Sequence, residues 1–307
     1  MVKLNIKLPE NFFDEEYIQK YNYTVTKFQK EIWAVELDIA EQISNICKKY
    51  NLKLYADGGT QLGCIRHNNS FVPWDDDIDF AMLRKDYDIF KEVAKKELKY
   101  PYFYQDSSVD DVRFHSIKIR RSDTTAIHRN VLNKIDASAN YGIFVDIFPL
   151  DVVPENLDSR GEFKKVLQNI NKKCQSKDQN IDKKEWDKYY NCTCISFNKS
   201  SSTSLANLSF PRDIYIYKQL YQYEEATPIK FCGLIDIYLP KDSEETLESQ
   251  YGNWLKPIIN GSKHRGTIYN TNISYKEILL HKEQLIINNP LHLVTIDDYD
   301  NNYDKYY

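Results

Sequence analysis

Four carboxylates fall within five positions in Asp75-Asp76-Asp77-Ile78-Asp79, and the chain then runs directly into Phe80-Ala81-Met82-Leu83. Carboxylates this close repel one another and resist burial, so the cluster implies a positive partner. If residues 77–83 form a strand, side chains alternate. Asp75, Asp77 and Asp79 then share one face, and Asp76 and Ile78 the other. Same-face carboxylates would lie roughly 6.5–7 Å apart, a gap that one or two divalent cations can bridge. Mg²⁺ suits such a donor set, because it takes a few carboxylates and completes its octahedron with water and substrate phosphate; Mn²⁺ is the natural substitute. Asp75 is expected behind the ligands. Asp76 is expected to be exposed, so that amidating it would be nearly silent.

A third carboxylate is available in Ile143-Phe144-Val145-Asp146-Ile147-Phe148, where Asp146 is the lone charge in an apolar run. A shared metal would give it the partner that a buried carboxylate needs. A solvated acidic turn is the plainer reading of an Asp run, but the alternation with Ile78, Phe80 and Met82 counts against it. A calcium loop of the EF-hand type does not fit. Counting from Asp75, the sixth position is Phe80 and not glycine, and no glutamate stands twelfth.

Upstream lies Asp57-Gly58-Gly59-Thr60. Glycines there permit positive φ and let backbone N–H groups approach an anion, while Thr60 can cap a helix and donate to phosphate. Arg66 and His67 follow within seven residues and could reach phosphate or ribose. Surface polarity and a satisfied core histidine weigh equally. In His115-Ser116-Ile117-Lys118-Ile119-Arg120-Arg121, Lys118 and Arg120 share a strand face, with Arg121 opposite; Lys118 is the candidate phosphate contact. His115, His128, His281 and His292 show no ligand spacing and are expected to be structural. Trp74 is expected in the core.

These groups need elements to place them. Ile32, Val35, Ile39, Ile43 and Ile46 recur at helical spacing and predict a long amphipathic helix over 25–50. A short strand is expected over 52–56, a tight turn at 57–60, a strand over 77–83 and a helix over 85–98. Strands are expected at 102–107, 112–122 and 141–153, the last ended by Pro149 and Pro154. Residues 162–192 read as helices around a connection. Residues 231–240 read as one strand, followed by a short helix reaching Tyr251-Gly252-Asn253-Trp254. The fold class is therefore mixed α/β (α+β), with a more helical C-terminal half. The expected division is a catalytic core at 1–155 and a half at 156–307 packed on it, forming one continuous unit.

The totals exclude several classes. The chain has 307 residues, 42% of them hydrophobic, so it can bury a core. A net charge of −4 argues against general nucleic-acid binding. Six cysteines are too sparse for a disulfide scaffold and read as reduced thiols. The N-terminus has no apolar signal-type segment and no run approaches membrane-spanning length, so a cytoplasmic protein is expected.

A G-G-T turn, then D-x-D on a strand, then a third Asp on another strand, resembles the nucleotidyltransferase-fold signature. Residues 57–90 resemble the core block of the LicD family, to which the fukutin-type proteins are related. Residues 141–151 resemble that family's second block, and 231–254 more loosely its C-terminal block. The resemblance implies a nucleotidyltransferase-like core and a phosphotransferase. It implies a CDP-activated donor, typically CDP-choline or otherwise CDP-ribitol, and an acceptor hydroxyl on a lipopolysaccharide, teichoic acid or capsule, with CMP released. By this match Asp77, Asp79 and Asp146 are the metal carboxylates, and Gly58, Gly59 and Thr60 the phosphate turn. Lys263, His264 and Arg265 fall where family members often carry basic residues. The alternatives are nucleotidyl transfer to a small molecule with pyrophosphate release, a non-catalytic scaffold, and a calcium-stabilised binding module.

Overall fold

The computed structural model describes residues 1–110, 112, 114–128, 139–175, 183–259, 267–280 and 294–295. Lys263, His264, Arg265, His281 and His292 lie outside them.

The chain opens with a short hairpin, β1 (Glu16–Ile18) and β2 (Tyr23–Val25), and enters helix α1 (Lys27–Tyr50). Thr26 caps the helix by accepting from the Gln29 N–H at 3.2 Å, and Asn51 ends it in the left-handed region. Ile32, Val35, Ile39, Ile43 and Ile46 are all buried. Each such burial contributes about 1.5–3 kcal/mol relative to exposure.

Next come β3 (Tyr55–Ala56), α2 (Gly58–Arg66), β4 (Asp79–Leu83), α3 (Arg84–Glu97), β5 (Tyr102–Gln105), β6 (Ile117–Arg121), β7 (Thr125–His128) and β8 (Ile143–Val152). The second half adds α4 (Leu157–Gln175), α5 (Lys183–Cys194), β9 (Leu205–Asn207), a 3-10 turn (Pro211–Tyr215) and α6 (Leu220–Glu224). It continues with β10 (Thr227–Phe231), β11 (Ile235–Leu239), α7 (Ser243–Tyr251), β12 (Thr267–Asn270) and α8 (Tyr275–Leu280).

The main sheet runs β10-β11-β3-β4-β8-β6-β5, with β9 paired to the end of β8. It is mixed: β4 and β8 are parallel, as are β11 and β3, while the other pairings are antiparallel. Strands from both halves of the sequence thus lie in one sheet.

Three expectations are corrected here. Pro149 does not end its strand; it sits inside β8 opposite Met82. The β6 pairing stops at Ile147 and the β9 pairing starts at Leu150, so on that side the missing N–H costs no rung. Residues 231–240 are not one strand. Cys232 and Gly233 take positive φ and turn the chain between β10 and β11. The strand expected from residue 77 starts at Asp79.

Helix α1 packs on one face of the sheet, against Phe80, Met82, Val145, Ile147, Ile117 and Ile119. Asp38 anchors this layer. Its carboxylate accepts from Arg121, from the Asn5 and Ile6 N–H groups, and from the Tyr102 hydroxyl. By alternation Asp79, Ala81, Asp146, Phe148 and Leu150 project from the other face. That face is covered by the second half, where Leu205 and Tyr223 pack on Ala81 and Leu150. A separate apolar cluster of Phe163, Leu167, Ile170, Tyr190, Leu208 and Ile214 backs it.

Candidate active site

Asp57 stands between β3 and α2, and Gly58 opens the helix at φ +52°. The Asp57 N–H donates to the Asp79 carbonyl at 3.1 Å, and the Asp79 N–H donates to Thr60 Oγ1 at 2.9 Å. The turn therefore holds the first residue of β4 by its backbone. A Cβ added at Gly58 would lie 2.9 Å from Asp79 Oδ2, and one at Gly59 only 2.3 Å from Asp75 Oδ2. Glycine at both positions lets two carboxylates close on the α2 N-terminus, whose positive end favours them. The space above Gly58 and Gly59 is thus taken by the protein's own carboxylates. Thr60 is buried and meets Asp79; the cap position falls to Asp57.

The acidic run is not an extended strand. Gln29 Nε2 donates to the carbonyls of Pro73 (2.7 Å) and Asp75 (3.1 Å), and Trp33 Nε1 to that of Asp75 (2.9 Å). These contacts from α1 hold the chain just after a turn at Pro73-Trp74, and residues 75–78 belong to no strand. Oxygens of Asp75, Asp76 and Asp77 all converge within 4.8 Å of one another. Asp76 is 1% exposed and accepts from the Tyr269 hydroxyl at 3.2 Å, so the expectation of an exposed Asp76 is overturned.

Asp79 and Asp146 are register partners on adjacent parallel strands, and Lys118 is the antiparallel partner of Asp146. All three share one face. Lys118 Nζ binds Asp146 Oδ2, and Ser116 Oγ lies 3.3 Å from Asp146 Oδ1. The partner that the sequence implied for Asp146 is therefore supplied in part by Lys118. Burial pushes the Lys118 ammonium down, with Asp146 opposing. Arg120 turns to Gln105 and the Gly142 carbonyl, and Arg121 to Asp38.

Two cavities meet at these carboxylates, and Asp77, Asp79 and Tyr251 line both. The first, about 360 Å³, is largely apolar and aromatic. Trp74, Trp254, Leu62 and Val72 line it, together with Gly59, Asp75, Arg66 and Lys256. Arg66 donates to the Trp254 carbonyl at 2.6 Å and to His67 Nε2 at 3.0 Å, contacts that leave its charge uncancelled. His67 stands behind it, edge-on to Tyr21 and Trp74, and is not among the lining residues. Burial and the neighbouring Arg66 and Lys20 charges lower its pKa to about 4. The second cavity, about 230 Å³, is polar. It is lined by Asp57, Gly58, Asp146, Phe148, Asn207, Phe210, Arg212, Asp213, Lys218 and Gln250.

Several of these residues carry no local signal. Lys218 is buried and paired with Asp57 across 161 positions. Tyr251 lies in the loosely matched C-terminal block. Desolvation within the cavity and the charges of Asp79, Asp75, Asp57 and Asp77 raise its pKa, and although 41% of the residue meets solvent its hydroxyl remains a donor beside these carboxylates. Glu36 was legible as one of two acids in the apolar run 32–40. Its Oε2 is buried without a partner, and burial, with Asp77, Asp76, Asp75 and Asp79 nearby, raises its pKa well. Hard oxygen donors, an excess of negative charge and an in-register Asp79–Asp146 pair fit a divalent cation. Among the described residues the oxygens that converge closely enough for a shared ion are those of Asp75, Asp76 and Asp77; of the expected set only Asp77 is among them, with Asp79 and Asp146 paired in register alongside.

Among the described residues no helix is long and apolar enough to cross a membrane. His115 stacks on Tyr190 at 3.6 Å and meets Asn171 at 2.8 Å, away from the carboxylates. Residues 51–172 match the family model described as LicD/FKTN/FKRP, nucleotidyltransferase domain. Over that stretch the chain is similar to the LicD family. It is similar to the lipopolysaccharide cholinephosphotransferase LicD of Haemophilus influenzae (strain ATCC 51907 / DSM 11121 / KW20 / Rd). The two are 27% identical over 241 residues, which cover 78% of this chain and 81% of that protein.

Proposed function

We propose that this protein is a Mg²⁺-dependent phosphotransferase that moves phosphocholine from CDP-choline to a sugar hydroxyl of a cell-surface glycan, such as lipopolysaccharide, and releases CMP. The observation that carries this reading is the position of Asp77 and Asp79 between two chemically different cavities, with Asp146 beside Asp79 in register. The similarity to a cholinephosphotransferase supports the donor class.

Phosphoryl transfer is mostly positioning and charge stabilisation. A divalent ion, when bound to Asp77, Asp79 and Asp146, would offset the diphosphate's charge and that building on the leaving oxygen. Arg66 and Lys256 supply cations on the aromatic side, where the nucleotide diphosphate would lie. Trp254 and Tyr251 offer ring faces that suit a nucleobase or a trimethylammonium group, while Trp74 is buried behind them, as expected of a core residue. Tyr141, which precedes β8, packs with Tyr275 in a separate cluster. Asp146 stands on the opposite side and would take the acceptor's proton as its oxygen bonds to phosphorus and the bond to CMP breaks. Lys118 fixes the Asp146 carboxylate in place.

The test is CMP release from CDP-choline, CDP-ribitol and CDP-glycerol at equal concentration, with and without EDTA. CDP-choline should lead, and EDTA should abolish release. A faster CDP-ribitol or CDP-glycerol would overturn the substrate; pyrophosphate release from another nucleotide, with no CMP from any, would overturn the reaction class.

A further inference from the structure

We propose that the polar cavity is the acceptor subsite, and that it takes one sugar unit through its hydroxyl groups with Gln250 as an accepting partner. This rests on the phosphotransfer reading for its place in the reaction, but the binding itself stands on separate observations.

The first is an unmet acceptor. Gln250 Oε1 is buried without a hydrogen-bond partner, and Gln250 lines this cavity. A buried amide oxygen left unpaired keeps its desolvation cost uncompensated, and a ligand hydroxyl would remove that cost.

The second is charge. The cations here are already matched: Lys218 to Asp57, Arg212 to Asp213 at 3.4 Å, and Lys118, just behind, to Asp146. Among the described residues a diphosphate would find carboxylates and, apart from the largely exposed Arg212, cations already buried in ion pairs, whereas a neutral polyol meets no such repulsion. Asn207 and Asp213 add further polar groups, and the Phe148 and Phe210 rings, 5.7 Å apart, offer apolar faces for the C–H side of a sugar ring.

The third is position. In-line displacement brings nucleophile and leaving group to opposite sides of phosphorus. With the diphosphate beside Arg66, the acceptor enters from the side of Asp146, and Asp146 lines only the polar cavity of the two. A volume of about 230 Å³ falls below the ~300–1,000 Å³ usual for small-molecule pockets and suits a single sugar unit better than a nucleotide. The walls come from β9, the 3-10 turn and α7. Ser249 ties the last two, accepting from the Tyr217 N–H at 2.8 Å and approaching the Tyr215 carbonyl at 3.5 Å.

The experiment is saturation-transfer NMR with the methyl glycosides of galactose, glucose and N-acetylglucosamine. It is run on the full chain and on Gln250→Met, Phe210→Ala and Trp254→Ala, with and without CMP. At least one glycoside should receive saturation. Gln250→Met and Phe210→Ala should weaken its binding about tenfold, while Trp254→Ala and added CMP leave it unchanged. Gln250→Met loses no internal hydrogen bond from Oε1, so its melting temperature should hold; a purely structural role would lower it. The proposal is overturned if no glycoside is saturated, if Gln250→Met and Phe210→Ala leave the signal intact, or if CMP displaces the sugar. CMP release from CDP-choline, measured on the same samples, separates the two readings. Its absence beside sugar binding that behaves as expected overturns only the donor, and its presence beside unaltered glycoside signals in the variants overturns only the subsite.

Discussion

The two faces of the central sheet treat buried carboxylates in opposite ways. On the α1 face, Asp38 is saturated by Arg121, Tyr102 and two backbone N–H groups. On the other face Asp79 and Asp146 stand side by side, and at the sheet's edge Asp75, Asp76 and Asp77 crowd within 4.8 Å beside Glu36, which belongs to α1 itself and has an unmet buried oxygen. A charge that serves the fold is given enough partners to repay its desolvation. Charges crowded together for a ligand repel one another, and the fold carries that cost until the ligand arrives.

The largest effects should separate these two kinds of charge. Arg121→Met strands Asp38 in the core and should cost about 3–5 kcal/mol of stability, read by urea denaturation. Asp79→Asn should do the reverse: turnover falls about a hundredfold or more, while the melting temperature holds or rises, because one repelling charge is gone. If Asp79→Asn unfolded the protein and Arg121→Met did not, the contrast between the faces would be misassigned.

Asp76→Asn sharpens the comparison. Its carboxylate converges with Asp75 and Asp77 and accepts from Tyr269, so the substitution should not be silent. Metal affinity should drop about tenfold, with a smaller loss of turnover than for Asp79→Asn. Titration calorimetry with Mn²⁺ would read this, and affinity equal to wild type would place Asp76 outside the cluster's work.

The smallest effect concerns Glu36. Burial and the surrounding aspartates raise its pKa in the folded state above the ordinary 4.5. Above that value the unfolded chain releases its proton, while the folded protein must hold the proton or bury a charge. Stability in EDTA should therefore fall as pH rises from about 4.5. Glu36→Gln should melt higher than wild type at pH 8 and equal to it at pH 4. A constant difference across that range would remove Glu36 from the electrostatics of the site.

Local pattern was enough to find α1, because its isoleucines repeat at helical spacing on one buried stripe. It also found β8 and the end of β4, where apolar alternation is clean, and with them the Asp79–Asp146 pair. It failed where distant residues set the backbone. Gln29 and Trp33 hold the Asp75 carbonyl and bend residues 75–78 out of the strand, so alternation misjudged Asp76. Lys218, Gln250 and Tyr251 reach the site only through the packing of the second half onto the sheet. No spacing within 210–251 announces that they meet Asp57 and Asp79. The glycine turn was legible as a place of close approach, but not that Asp75 and Asp79 are what approach it.

The central claim is that Asp77, Asp79 and Asp146 hold a divalent ion where the donor's phosphates arrive. Mn²⁺ binding followed by electron paramagnetic resonance tests it directly, on the wild type and Asp79→Asn, with and without CDP-choline. The account predicts a bound Mn²⁺ signal in the wild type that tightens when CDP-choline is added, and loss of both in Asp79→Asn. Equal Mn²⁺ binding by the two proteins, or binding indifferent to CDP-choline, would contradict it.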